Sequence, residues 1–432
     1  MNGYLNESSF MMVEEGFTSR DLLESTLGER QAFFVADLGD IVKKHLLFLK
    51  ALPRVKPYFP VKCNSSGGVM RLLAELGAGF ACANKTEIAE VQSIGVPADK
   101  IFYSSPCKQV AHIRYAASCG VQLMTFDNEV ELGKVARSHP QARWVLIPSA
   151  HPSMMFGATL KSCRRLLESA KEQDVEVVGV SFHPGGHGLE PQVFAQAVAE
   201  AQLVFDVGAE LGYRMHLLDI GGGFPGTEDS RAQFEEIAAV INSALDTYFP
   251  EGCGVQIVAT PGRYYVTSAF TFAASITSKE EVPVEQPGSD GEESGSKKSL
   301  VYHLSDGIYG TFSSVLFDGP CPKPLLHKVR IQPGWGEPCG ADQITDDVEL
   351  PELQDGDWLI FQDMGAYTIA TSSLCGGCPR PHVTYAMSPV QLLQGKLPAA
   401  DDHESSCTPL SCGWEMVESL CVPPVFTPAG II

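Results

Sequence analysis

The stretch Tyr58-Phe59-Pro60-Val61-Lys62-Cys63-Asn64 decides how the rest of the chain is interpreted. It is a short apolar segment typical of a buried strand, and its one charged residue, Lys62, stands where that strand should end. A lone lysine is most often a solvated surface charge. At the carboxyl-terminal mouth of a parallel barrel, however, a lysine amine is well placed to hold an aldehyde cofactor covalently. Whether Lys62 is a surface charge or a cofactor-binding residue depends on which residues the later strands place at the same mouth.

Length and charge limit the classes of protein to consider. With 432 residues, 44% of them hydrophobic, the chain can bury a large core and is long enough for two domains. The 31 basic and 52 acidic side chains give a formal net charge of −21. Nucleic acids and anionic membranes bind basic faces, so neither is expected as a partner.

The cysteines and the N-terminus indicate a reducing, cytoplasmic location. Residues Met1 to Gly16 are polar and acidic, without the basic and then apolar pattern of a signal peptide, and no run of about 18 apolar residues predicts a membrane span. The 13 cysteines have no regular disulfide spacing. Cys375-Gly-Gly-Cys378 is the one C-x-x-C pair, and without a second pair no metal site is predicted.

Short apolar runs alternate with helical patterns between residues 58 and 260. Leu132, Val135 and Ala136, for example, share one helical face. The predicted strands are Tyr58–Lys62, Gly79–Ala83, Ile101–Ser104, Val121–Phe126, Trp144–Pro148, Val177–His183, His216–Ile220 and Gln256–Thr260. Eight such units in about 200 residues predict an α/β fold of the (β/α)8 barrel type, with a doubly wound open sheet as the alternative.

The flanking segments predict a second, antiparallel β domain. We expect residues 1–37 to join it through two strands and residues 38–266 to form the barrel, with Asp40 capping a helix that ends near Leu52. Residues 267–396 form the β domain, with a flexible loop at 285–298, and 397–432 form a tail. The β-domain strands are predicted around Phe10–Val13, Arg30–Val35, Ala269–Thr277, Leu300–Leu304, Ser314–Phe317, Trp358–Phe361 and His382–Ala386.

Three later strand ends carry residues suited to a phosphorylated, ring-bearing cofactor. The seventh strand runs into Gly221-Gly222-Gly223, and the eighth is followed by Arg263. Glycines let backbone N–H groups approach an anion, and phosphate often lies at these two loops of a barrel. His183 ends the sixth strand and could stack on a ring, although a histidine there is more often structural. With Lys62, these residues point to pyridoxal phosphate.

The chain resembles the eukaryotic ornithine decarboxylase family, among the group IV pyridoxal-phosphate decarboxylases, together with its antizyme-inhibitor paralogues. The matching motifs are Val61-Lys-Cys-Asn64, Lys85-Thr-Glu87, Gly179-Val-Ser-Phe-His183, Leu218-Asp-Ile-Gly-Gly-Gly-Phe-Pro-Gly226, Pro261-Gly-Arg-Tyr-Tyr-Val266, Asp306-Gly-Ile-Tyr-Gly310, Trp335-Gly336, Cys339 and Asp363-Met-Gly-Ala-Tyr367. The resemblance implies an alanine racemase-like (β/α)8 barrel with a β domain. It also implies a homodimer with active sites shared between subunits.

The resemblance also implies a role for each matching residue. Lys62 would hold pyridoxal 5′-phosphate covalently, and Cys339 of the partner subunit would return a proton after carbon dioxide leaves. The expected cofactor-binding residues are Lys62, Glu87, His183, Gly221, Gly222, Gly223, Thr260, Arg263 and Tyr367. The expected substrate-pocket residues are Tyr309, Phe317, Asp318, Gly340 and Cys375.

Departures from the family pattern change the expected substrate. The family places an acidic residue after the reactive cysteine to recognise the distal amine of ornithine, and here Gly340 follows Cys339. A buried ammonium without its carboxylate is costly, so ornithine should be a poor substrate. Cys375 replaces a phenylalanine and Phe317 a tyrosine, whereas Asp318 keeps an acidic position.

Other departures affect the cofactor. Thr260 replaces the family glutamate that pairs with the pyridine nitrogen, and Ala81 replaces an aspartate near the lysine. Ile147 and Gly186 replace an arginine and a phosphate-binding serine. We therefore expect weaker cofactor binding and slower decarboxylation.

Two functions follow. The retained Cys339 favours a pyridoxal-phosphate-dependent decarboxylase of a neutral aliphatic amino acid such as leucine. The alternative is a weakly active or inactive, antizyme-inhibitor-like regulator of polyamine metabolism. It would bind antizyme through a basic surface segment, residues 108–137, with Lys108, Arg114, Lys134 and Arg137.

Overall fold

The computed structural model describes residues 8–14, 16–26, 31–148, 157–183, 190–283, 298–317, 322–327, 344, 350–370 and 380–388. The chain divides into two compact units. The described residues of the sheet unit lie within Met1–Asp37 and Ser268–Val390, and those of the barrel unit lie within Leu38–Thr267. The chain first supplies three elements to the sheet unit, namely β1 (Ser8–Met12), α1 (Ser19–Thr26) and β2 (Phe33–Asp37).

Eight parallel strands form a closed barrel, which confirms the predicted fold class. The strands are β3 (Val55–Pro60), β4 (Gly79–Cys82), β5 (Ile101–Tyr103), β6 (Leu123–Phe126), β7 (Arg143–Leu146), β8 (Glu176–Ser181), β9 (Leu217–Asp219) and β10 (Gln256–Ala259). The helices are α2 (Leu38–Ala51), α3 (Gly67–Glu75), α4 (Lys85–Ser93), α5 (Val110–Ser118), α6 (Glu129–Ser138), α7 (Leu160–Glu172), α8 (Gln192–Glu210), α9 (Arg231–Tyr248) and α10 (Arg263–Val266). Each predicted barrel strand overlaps one of the observed strands. Within the described ranges, no helix is long and apolar enough to cross a membrane.

The barrel interior explains why its strands are continuous apolar runs. Side chains from five strands meet in one buried cluster, formed by Phe102, Val145, Val178, Leu217 and Val258. Strands covered by helices outside and by this cluster inside are buried on both faces, so they show no alternation of polar and apolar residues.

Two predicted boundaries shift by a few residues. Strand β3 ends at Pro60, and Lys62 lies in the single 3₁₀ turn that follows it, Val61–Cys63. Helix α2 begins at Leu38, so Asp40 lies inside its first turn and not at the cap. There its carboxylate is 3.6 Å from the ammonium of Lys44, one helical turn later.

The second unit is a mixed sheet. Its remaining strands are β11 (Phe270–Pro283), β12 (Lys298–Leu304), β13 (Pro324–His327), β14 (Trp358–Phe361) and β15 (His382–Met387). The strand order is β1-β15-β2-β11-β14-β13, and β12 pairs with β11. Pairs made by β11 and β14 are antiparallel, as expected, whereas β15 lies parallel to both β1 and β2. Helix α1 packs on this sheet through Leu22 and Leu23, in a core with Phe33 and Trp358.

One strand assignment in this unit was wrong, and one strand was not predicted. Ser314–Phe317, predicted as a strand, belongs to a 3₁₀ helix at Thr311–Phe317, and no strand was expected at β13. The predicted loop 285–298 lies outside the described residues except for Lys298, which begins β12. The tail 397–432 also lies outside them.

A buried ion-pair cluster joins the loop after β5 to helix α6. The Glu131 carboxylate is 2.7 Å from the Lys108 ammonium and 2.5 Å from that of Lys134, and it accepts the Lys108 backbone N–H at 3.0 Å. The Lys108 ammonium also donates to the carbonyls of Ser105 and Thr125. Burial lowers the pKa of Lys108, while Glu131 opposes that shift. This lysine is therefore an internal connection.

Removing Lys108 should destabilise the barrel more than removing Lys134. Lys108→Ala removes a fully buried ammonium and leaves the carbonyls of Ser105 and Thr125 without their donor, so we expect a loss of about 3 kcal/mol in the free energy of unfolding. Lys134, whose side chain is 21% exposed, should contribute under about 1 kcal/mol. Urea denaturation of Lys108→Ala and Lys134→Ala measures both, and equal losses would contradict this assignment.

Candidate functional site

Lys62 is presented at the carboxyl-terminal mouth of the barrel by its turn. Its neighbours Val61 and Cys63 are fully buried, whereas Lys62 itself is exposed. The two buried side chains anchor the turn and leave the amine at the mouth. Burial is the main cause of the pKa shifts of His183, which is lowered, and of Glu87, which is raised; the charge of Lys62 acts downward on both, so these three groups share one electrostatic environment.

His183 follows β8 and contacts the glycine loop. Its Nδ1 accepts a hydrogen bond from the backbone N–H of Gly222 at 3.2 Å. His183 lies at the exposed rim of the mouth. The protein around its ring still desolvates it and lowers the pKa of His183 from 6.5 to about 4, and the charge of Lys62 is the second cause of this shift. His183 is therefore neutral near pH 7, with Nδ1 as an acceptor.

The glycine loop, Gly221–Gly223, fits tightly between the ends of β8 and β10. Gly221 and Gly223 have φ values of +72° and +88°, which favour glycine. A Cβ on Gly221 would lie 2.2 Å from the carbonyl oxygen of Phe182, and one on Gly222 would lie 2.6 Å from that of Thr260. Such close-packed, turning backbone is typical of an anion-binding loop.

The loop amides have different partners. The Gly221 N–H donates to Asp219 Oδ1 at 2.9 Å, and the Gly222 N–H donates to His183. Within the described ranges the Gly223 N–H has no partner. Of the three glycines expected to hold phosphate, Gly223 is therefore the one whose amide makes no bond to another described residue, and the other two shape the loop.

Asp219 is a site residue to which the sequence analysis gave no role. It ends β9 and is 2% exposed, and its Oδ2 accepts the Ser181 hydroxyl at 2.7 Å. Burial raises its pKa from 3.8 to about 6, while the hydrogen bonds from Ser181 and Gly221 oppose the shift. Its position directly before the glycine run is the sequence feature that could have identified Asp219 as a site residue.

Two predicted positions, one in β4 and one directly after β10, carry no charge. Ala81 is buried in β4, and Thr260, half-buried after β10, donates its backbone N–H to the Gly221 carbonyl at 2.7 Å. Arg263 begins α10 three residues later and is half-buried. The mouth therefore has a positive charge after β10, that of Arg263, and an uncharged side chain at both Ala81 and Thr260.

Glu87, expected beside the cofactor, also has a structural role. Its carboxylate accepts the Ala83 N–H at 2.7 Å and the Asn84 side-chain amide at 2.8 Å, while Asn84 Oδ1 accepts the Glu87 N–H at 3.0 Å. Asn84 is thus the N-cap of α4, and the Glu87 side chain holds it in place by a reciprocal bond. Burial raises the pKa of Glu87, and the hydrogen bonds and Lys62 oppose that shift.

The remaining predicted site residues lie in the sheet unit or outside the described residues. Tyr367 is half-buried with a φ of +58°, Tyr309 is 46% exposed, and Phe317 ends the 3₁₀ helix. The positions outside the described residues are Gly186, Asp318, Cys339, Gly340 and Cys375.

The predicted basic surface segment, residues 108–137, is corrected at one position. Lys108 is 2% exposed and paired with Glu131, so its assignment to a surface was wrong. Arg114 on α5 and Arg137 on α6 are exposed. A run of basic residues does not reveal which of them faces a buried carboxylate.

A separate cavity of about 350 Å³ lies on the outer side of the barrel, between α2 and α9. Lys44, Phe234 and Tyr264 are among its lining residues, whereas Lys62, His183 and the three glycines are not. The cavity is therefore distinct from the mouth.

Replacing Gly221 should destabilise the protein sharply. Gly221→Ala forces a side chain into a left-handed conformation and against the Phe182 carbonyl, so we expect a loss of at least about 2 kcal/mol. Gly67→Ala is the matched control, because its Cβ would meet nothing within 4 Å at the start of α3. Thermal denaturation should leave the control unchanged or slightly stabilised, and a Gly221→Ala protein of wild-type stability would contradict the loop geometry.

Asp219 should produce a pH dependence of defined sign. The unfolded chain releases this proton near pH 3.8 and the folded protein near pH 6, so the folded state binds more protons between them. Stability from this group therefore falls as pH rises through that window, by on the order of 3 kcal/mol in total. Urea denaturation should show Asp219→Asn gaining stability relative to wild type from about pH 4 to about pH 7. A difference that stays constant with pH would contradict the assignment.

Comparison with known proteins identifies relatives across the whole chain. Antizyme inhibitor 2 of Homo sapiens is 55% identical over 460 residues, covering 100% of both chains. Ornithine decarboxylase of Mus musculus is 49% identical over 433 residues, covering 94% of both. Among solved structures, the lysine/ornithine decarboxylase of Vibrio vulnificus complexed with cadaverine matches with a TM-score of 0.74 and 28% identity, covering 88% of this chain and 99% of that one.

The family assignment rests on more than half of the chain. Residues 38–267 match the family described as "Pyridoxal-dependent decarboxylase, pyridoxal binding domain". That range includes Lys62, His183, the glycine loop and Arg263, which together fit an aldehyde, a ring and a phosphate. The chain therefore belongs to the pyridoxal-dependent decarboxylase family, whose cofactor is pyridoxal 5′-phosphate.

Proposed function

We propose that this chain is a regulator of the antizyme-inhibitor type, which binds antizyme and retains a cofactor-binding barrel mouth. The observation that carries the proposal is that Ala81 and Thr260 are uncharged, at positions where the resemblance implies carboxylates in the decarboxylases. The relatives named antizyme inhibitor 2, which match over the full length of the chain, support it.

The residues at the mouth define what the cofactor would meet. Bound pyridoxal phosphate supplies an electron sink for bond cleavage at the α-carbon of an amino acid. Lys62 would hold it by the amine, the neutral ring of His183 would cover its face, and Arg263 with the Gly223 N–H would neutralise its phosphate. At Thr260 a hydroxyl replaces a carboxylate and gives weaker support to a protonated ring nitrogen, which disfavours fast decarboxylation.

The partner would bind to the α5–α6 face, which we define as Val110 and Arg114 on α5 with Val130 and Arg137 on α6. All four are exposed, Val130 at 79% and Val110 at 37%. Spacings of four and seven residues place each pair on one side of its helix, and the two helices pack together. Apolar side chains flanked by arginines are typical of an interaction surface, and both charged residues of this face are basic on a chain of net charge −21.

Reversing the charge of this face should weaken antizyme binding. For Arg114→Glu combined with Arg137→Glu we expect the Kd for antizyme to rise about tenfold or more, because two favourable charges become repulsive. Arg71→Glu, an exposed arginine on α3, is the control and should change Kd less than about twofold. Isothermal titration calorimetry measures both. Undetectable wild-type binding, or equal effects of the two charge reversals, would refute the proposal.

A second candidate is a decarboxylase of a neutral aliphatic amino acid such as leucine. The exposed amine of Lys62 at the mouth, beside a neutral His183, favours it. Carbon dioxide release from ornithine, lysine and leucine, with added pyridoxal phosphate, separates the candidates. The regulator proposal expects no release above that of Lys62→Ala. Release from leucine alone would establish the second candidate.

We further propose a cytoplasmic homodimer. The resemblance assigns Cys339 of one subunit to the site of the other, and the cysteine content suits a reducing compartment. Sedimentation equilibrium would test the assembly, and a monomer at all concentrations would refute it.

A further inference from the structure

One buried carboxyl connects the elements that shape the glycine loop. Asp219 Oδ2 accepts the hydroxyl of Ser181 on β8, and Asp219 Oδ1 accepts the N–H of Gly221. Its backbone carbonyl also accepts the Phe182 N–H at 3.0 Å. Each carboxyl oxygen thus accepts one hydrogen bond, and the two bonds fix the loop relative to β8.

The glycine loop is hydrogen-bonded to Thr260 and His183, so its position affects theirs. The Gly221 carbonyl accepts the Thr260 N–H from the end of β10, and the Gly222 N–H holds the ring of His183. Displacing Gly221 would therefore move the Gly223 amide and free the imidazole together. The backbone of Arg263 packs against Gly226, three residues after the glycine loop, where its carbonyl oxygen would be 2.0 Å from a Cβ.

We propose that Asp219, supported by Ser181, is the positioning residue for the phosphate group of pyridoxal phosphate. Acting through Gly221, it holds the Gly223 N–H in place to bind phosphate and keeps His183 oriented. Asp219 does not itself contact the cofactor. The proposal rests on the cofactor of this domain and is independent of antizyme binding.

The structural alternative is that Asp219 is only a satisfied polar group in the core. The two roles differ in which part of the ligand they affect. Loss of general stability would weaken the binding of any ligand, whereas loss of loop position weakens binding only through the phosphate. Comparing pyridoxal 5′-phosphate with pyridoxal, which lacks the phosphate, separates them.

The experiment measures Kd for both ligands by equilibrium dialysis with the full-length chain. Asp219→Ala removes both bonds, so we expect the Kd for pyridoxal phosphate to rise about tenfold, equivalent to one buried hydrogen bond, with that for pyridoxal within about twofold. Asp219→Asn can still accept from Gly221 and can donate to Ser181, so it should restore the preference for the phosphorylated ligand to within about threefold.

Two further variants keep the test decisive if Asp219→Ala fails to fold. Ser181→Ala removes one of the two bonds and should lower the preference about threefold. Thr125→Val is the matched control, since it removes another buried barrel hydroxyl, which donates to the Ser105 carbonyl at 3.0 Å. It should leave the preference unchanged.

Several results would overturn the proposal. They are a wild-type protein with no preference for the phosphorylated ligand, an Asn variant as impaired as the Ala variant, and equal weakening of both ligands. Equal effects of Ser181→Ala and Thr125→Val would also do so. Antizyme affinity, measured on the same proteins, should not change, so this inference and the proposed regulatory function can fail separately.

Discussion

Closure of the parallel sheet is the constraint on which the site depends. It brings the ends of β3, β8, β9 and β10 to one mouth, although Lys62 and Arg263 are far apart in the chain. Closure alone does not place side chains to within a hydrogen bond. The buried Asp219 and the tightly packed Gly221 do this, because together they hold the loop against β8. The glycine loop is therefore a consequence of barrel packing, with little freedom of its own.

Much of the barrel could be predicted because burial on both faces leaves a simple mark, a short apolar run between helical patterns. Lys62, His183 and Gly221 were found because each stands where such a run ends. The roles of Asp219 and Lys108 could not be predicted in the same way. Whether a charged residue is buried depends on partners such as Ser181 and Glu131, which are distant in sequence. The same limit applies to the sheet unit, where the parallel pairing of β15 joins strands from opposite ends of the chain.

The groups at the mouth are more complete for binding a cofactor than for catalysis with it. A lysine, a neutral histidine and an arginine after β10 are the groups that an anionic aldehyde cofactor needs. The groups that would tune it for rapid cleavage are less complete, since Thr260 and Ala81 carry no charge and Glu87 is committed to capping α4. The regulator proposed above would tolerate these changes, because it would bind its partner through a different surface, the α5–α6 face. In this proposal the residues of the mouth maintain the packing of the barrel, and helices α5 and α6 bind the partner.

The central claim is that the mouth is an intact pyridoxal site built around Lys62. The most direct measurement is borohydride reduction of the full-length protein after incubation with pyridoxal phosphate, followed by peptide mass mapping. Borohydride makes a lysine-bound pyridoxal group permanent, so the modified residue identifies the site. The account predicts modification concentrated at Lys62, and its loss when inorganic phosphate competes in excess. Modification spread over exposed lysines such as Lys50 and Lys100, with none at Lys62, would contradict it.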